Sequence, residues 1–67
     1  MLSNGVAMEG YKLRAIRKAL RMTQVEFAEA MGVTSTFVGM MERGDKPIER
    51  RTELAALYLE LIGREAR

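Results

Sequence analysis

The chain has 67 residues, a net charge of +2, and neither cysteine nor histidine. That length builds one small domain, which buries only about 60% of the surface its unfolded chain exposes. The missing residue types exclude disulfides, thiolate metal sites, the usual zinc ligands, the thiol nucleophile and the commonest general base, so the expectation is a non-enzyme with no metal and no cofactor.

Met1 to Met8 carries no charged side chain. It therefore lacks the basic n-region of an export signal, and with no cysteine in the chain a cytoplasmic location is expected. Ser3, Asn4 and Gly5 break any period, so residues 1–8 read as a flexible tail before a domain over residues 9–67. Met8 is an alternative start. Without Arg or Lys, the tail is a poor minor-groove arm.

The first helix is predicted from Glu9 or Tyr11 to Leu20. Leu13, Ile16 and Leu20 fall at i, i+3 and i+7 on one face. Arg17 lies on the same stripe, where an unpaired charge is costly, and Glu42 is the nearest acid at the end of the third helix. Five cations (Lys12, Arg14, Arg17, Lys18, Arg21) and no acid stand between Gly10 and Val25. Arg14, Lys18 and Arg21 share a second face, read here as mainly solvated.

The second helix is predicted over Gln24 to Met31. Thr23 and Glu26 have the spacing of a capping box. Phe27, Ala28 and Met31 make its apolar face, and Gly32 suits a left-handed end. Glu26 and Glu29 at i, i+3 are explained by a solvated face. After Val33, the buried residue of the turn, Thr34 can cap a third helix over Ser35 to Glu42. Val38 and Met41 point that helix at the core, and Gly44 ends it before an Asp45-Lys46-Pro47 loop.

The fourth helix is predicted from Ile48 or Glu49 to Ile62, with Gly63 ending it and Arg64 to Arg67 as a charged end. It is apolar around more of its circumference than a small monomer needs. Leu54, Leu57, Tyr58 and Leu61 form one stripe, expected to pack on the first three helices. Ala55, Leu59 and Ile62 form another, expected to bury itself in a homodimer. Its longest apolar run, Leu54 to Leu59, is too short to span a membrane.

Two short helices joined at Gly32-Val33, with the second turned outward, form a helix-turn-helix over residues 24–43. Ala28 supplies the small residue where they pack. The stretch Leu13 to Gly44, LRAIRKALRMTQVEFAEAMGVTSTFVGMMERG, resembles the Cro/C1-type helix-turn-helix family of phage repressors and related regulators. The family pattern is L-x-x-x-R, a Thr/Ser-Gln helix start, LA-x-x-x-G-V-[ST], and Glu-Arg-Gly or Glu-Asn-Gly. The resemblance implies an all-α, lambda-repressor-like domain of four helices, or five, that binds double-stranded DNA.

Residue by residue, the resemblance implies base contacts from Ser35, Thr36, Gly39 and Met40. It implies phosphate contacts from Gln24, Thr34, Phe37, Arg43 and Lys46, and a buried ion pair between Arg17 and Glu42. Gly39 and Met40 depart from the family, which often has Ser and a long polar or basic residue there. Close approach at Gly39, apolar contact at Met40 or readout of DNA shape would then carry part of the specificity.

A transcriptional repressor or autoregulator of phage or mobile-element type is expected, reading a palindromic operator as a homodimer paired through the fourth helix. The alternative is an antitoxin-like interaction module that binds a partner protein through its apolar recognition helix or the fourth helix.

Overall fold

Each of the two middle helices begins at a threonine and ends at a glycine. The computed structural model describes residues 7–65 and places α1 over Gly10–Ala19, α2 over Gln24–Met31, α3 over Ser35–Arg43 and α4 over Arg50–Glu65. At the start of α2, Thr23 Oγ1 accepts from the Glu26 amide at 3.1 Å and Glu26 Oε1 accepts from the Thr23 amide at 2.9 Å. This reciprocal pair satisfies two amides that a helix start leaves without partners. Thr34 Oγ1 accepts from the Phe37 amide at 3.1 Å to start α3. Gly32 and Gly44 close the two helices at φ 79° and 86°, a region where a Cβ is strained.

The all-α architecture is as expected: four helices, and no strand or fifth helix among the described residues. Leu13 and Ile16 of α1, Phe27 and Ala28 of α2, Val38 and Met41 of α3, and Ala56 of α4 meet in the core with Met8 and Ile48. Phe27, Leu13, Met41, Ile48 and Val38 are the largest fully buried side chains, and each contributes about 1.5–3 kcal/mol by leaving water. Val33, expected to be buried, is half-buried and packs against this core from the turn.

Two features differ from the sequence expectation. Met8, assigned to the flexible tail, is part of the core. It forms a short antiparallel bridge with Ile48, and the Ala7 amide donates to the Ile48 carbonyl at 2.8 Å. Residues 1–6, the rest of the expected tail, lie outside the described residues, as do residues 66–67 of the charged end.

The larger difference is the orientation of α4. The stripe expected to face inward is exposed: Leu54 to 54%, Leu57 to 41%, Tyr58 to 62% and Leu61 to 49%. The side turned inward is Ala56, fully buried, and Leu59, packed against the core. Ala55 is half-buried, so of the three expected dimer residues only Ile62 is exposed. Gly63 does not end α4, which continues to Glu65. Instead it lets the helix approach Leu20, the residue that caps α1: a Cβ at Gly63 would overlap Leu20 Cδ2. Small residues set the close face because they let the helix axes approach. The bulky apolar residues are left outside. No helix among the described residues is long and apolar enough to cross a membrane.

Candidate nucleic-acid interface

The site begins with a charge inside the domain. Arg17 projects from the core face of α1, and its side chain is only 11% exposed. Its Nε donates to Glu42 Oε2 at 2.6 Å and its Nη2 to Oε1 at 3.1 Å, a two-point grip on the end of α3. Its Nη1 donates to the Met22 carbonyl at 3.0 Å, tying the α1–α2 connection to the same guanidinium. Gln24 Nε2 adds a donation to Glu42 Oε1 at 3.2 Å from the first residue of α2.

Three helices therefore converge on one carboxylate. Desolvation pushes the Glu42 carboxyl upward, but it is outweighed. The hydrogen bonds from Arg17 and Gln24, with the charges of Arg17 and Arg14, hold it below the usual carboxylate range. The hydrogen bond that Arg17 donates to Glu42 raises the guanidinium above its ordinary value. The one acid of α3 is thus charged, enclosed and neutralised, so it does not set a repulsive charge on the helix's outer face.

That outer face carries the expected polar residues. Thr36 is exposed, and Ser35 and Met40 are half-exposed. Gln24 and Thr34 are exposed at the starts of α2 and α3, although the Thr34 hydroxyl oxygen is already engaged as a cap acceptor. Phe37 is half-buried and packs on the core. Lys46 is exposed, with no ion pair among the described residues. Arg43 is exposed and its Nε donates to Asp45 at 3.0 Å. Such an exposed pair is worth at most about 1 kcal/mol and exchanges readily for a phosphate. Asp45 as the resting partner of Arg43 was not foreseen, nor was the Gln24 bond to Glu42.

Gly39 differs from the others. It is buried, and a Cβ there would lie 3.3 Å from Arg43 Nη1 and 3.8 Å from the Gln24 amide group. No base edge can reach it while those side chains lie across it. It serves here as the gap over which Gln24 and Arg43 cross α3. Because Arg43 is exposed and flexible, Gly39→Ala is expected to raise stability by up to about 1 kcal/mol through helix propensity. Thermal melting checks this, and a lower melting temperature would mean that the crossing is rigid.

A helix-turn-helix family model matches residues 13–57, more than half of the chain. No curated protein and no solved structure matches it.

Proposed function

Because the chain belongs to the Cro/C1-type helix-turn-helix family, a family of DNA-binding regulators, we propose that it is a transcriptional repressor or autoregulator acting in the cytoplasm without catalysis. The observation that carries this reading is the outward presentation of α3. Its first turn offers Ser35 and Thr36, with exposed Gln24, Arg43 and Lys46 as further polar groups, the first two meeting over Gly39 of the same helix. A helix so placed enters the major groove by its N-terminal residues while the neighbouring groups hold phosphates. Ser and Thr hydroxyls donate to or accept from base edges, and the Thr methyl can touch a thymine methyl.

The reading includes a palindromic operator bound by a homodimer. Few polar groups on α3 mean that one copy reads few bases, and two copies read half-sites about 34–36 Å apart. The exposed face of α4 supports pairing. Leu54, Leu57, Tyr58, Leu61 and Ile62 together expose roughly 400–500 Å², at the upper end of what monomers leave in water. The dimer face therefore moves from Ala55 and Leu59 to this stripe, with Ile62 retained. The same stripe is the observation that favours the second reading, an antitoxin-like module holding a different protein. Sedimentation separates them: a Leu57→Glu, Leu61→Glu variant that splits a parent dimer supports self-pairing, and a monomeric parent on and off DNA contradicts it.

Two kinds of variant test the DNA reading. Ser35→Ala with Thr36→Ala should cost about 1–3 kcal/mol at a preferred site and barely alter binding to random duplex. Arg43→Ala should weaken both and make the salt dependence shallower by about one unit. Equal losses on preferred and random DNA from the Ser35 and Thr36 changes would remove those residues from base recognition.

A further inference from the structure

Beside the core-facing Arg17, α1 and the turn after it carry further cations on the surface. Arg14 and Lys18 follow at i and i+4 on α1, about 6 Å apart along the axis at 1.5 Å per helical residue, and Arg21 continues the line in the turn just beyond the helix end. All three are exposed. None forms an ion pair among the described residues, whose salt bridges involve Arg17, Arg43 and Arg50. No acid occurs in the sequence between Gly10 and Val25.

The two ends of this line lie at the parts of the domain that flank α3. Arg14 stands near the carboxylate of Glu42, at the C-terminal end of α3, and contributes to its charge environment. The start of α1 abuts the same end, since a Cβ at Gly10 would lie 2.7 Å from the Glu42 carbonyl oxygen. At the other end, Arg21 is two residues before Thr23, the cap of α2, with Gln24 next to it. Arg21 is also the one non-glycine residue described with positive φ, at 60°. A left-handed arginine is a local cost. It turns the chain sharply and keeps a cation beside the start of α2.

We propose that Arg14, Lys18 and Arg21 form a second phosphate-binding ridge, which grips the DNA backbone beside the strand contacts of Gln24 and Arg43. The inference rests on the DNA-binding reading above and extends its footprint to α1. The ridge contributes affinity and salt dependence but no base preference, because long cations on phosphate read no sequence. Lys12 is an internal contrast: it lies on another side of α1, along the groove towards α4 with Leu57 and Glu60.

The test is the salt dependence of duplex binding by the whole chain and by an Arg14→Gln, Lys18→Gln, Arg21→Gln variant, on random-sequence duplex and on a selected site. Each phosphate contact contributes about 0.9 to the slope of log affinity against log salt. The variant should therefore be shallower by about 2–3 on both duplexes, with unchanged sequence ranking and helicity. In the parent, bound duplex should slow acetylation of Lys18 and leave Lys12 unaffected. A folded variant with the parent slope overturns the ridge alone, as does Lys18 acetylated at the free rate in the complex. A parent that binds no duplex overturns the DNA reading and the ridge together. If the variant does not fold, the acetylation result on the parent decides.

Discussion

Arg17→Ala will remove about 3–5 kcal/mol of folding stability, because it leaves the Glu42 charge enclosed without its main partner. The Glu42 side chain is only 4% exposed, so in the folded domain the guanidinium, not bulk water, is what solvates its charge. The loss is large against the total. At about 0.05–0.15 kcal/mol per residue, a chain of 67 residues has roughly 3–10 kcal/mol. The same substitution frees the Met22 carbonyl from Arg17 Nη1, so the α1–α2 connection loosens as well. Denaturant titration measures the difference, and a variant that unfolds at the parent midpoint would contradict the role given to the pair.

The pair also sets an acid limit. The Glu42 carboxyl is held below its ordinary value in the folded chain, while in the unfolded chain it titrates near about 4.3. The unfolded state therefore takes up the proton first as pH falls. The stability from this group is present above the unfolded value and is lost as pH drops through the lowered folded one. Glu42→Gln should flatten that part of the stability profile; an unchanged acid flank would show that other carboxylates set it.

Gly10→Ala is the second large loss expected, about 2–3 kcal/mol or more, although alanine is the better helix former. A Cβ at Gly10 would overlap the Met41 carbonyl oxygen and lie 2.7 Å from that of Glu42. Both are backbone atoms at the end of α3, which cannot move aside as a side chain can. The start of α1 would have to lift away, and the Arg17–Glu42 grip lies along the same seam. Gly63→Ala is the control. Its added Cβ meets only the end of the Leu20 side chain, which can turn, so the cost should stay within about 1 kcal/mol. Equal melting of Gly10→Ala and the parent would mean that α1 and α3 are not tightly joined at that point.

Local chemistry made the centre of the fold legible. Thr23 with Glu26, Thr34, Gly32 and Gly44 bracket α2 and α3, and each signal acts within a few residues, so no tertiary information was needed. Arg17 and Glu42 were also readable, since a charge on a core stripe requires an opposite charge. The face of α4 was not. Ranking its sides by apolar bulk selected Leu54, Leu57, Tyr58 and Leu61, yet close helix packing favours small residues, and Ala56 and Gly63 were the better markers. Gly10 was missed for the same reason, and Met8 because a single bridge to Ile48 has no period. Gly39 suggested close approach of DNA, whereas in the folded domain side chains of the chain itself fill that gap.

The central claim is that α3 reads duplex DNA, and selection from a random duplex pool with the purified chain tests it most directly. The account predicts enrichment of a palindrome whose half-sites are about one helical turn apart, about 10–10.5 base pairs. Binding to it should weaken steeply with salt, and Ser35→Ala with Thr36→Ala should reduce the enrichment while leaving the fold intact. No enriched sequence, together with no retention of any duplex at low salt, would contradict it.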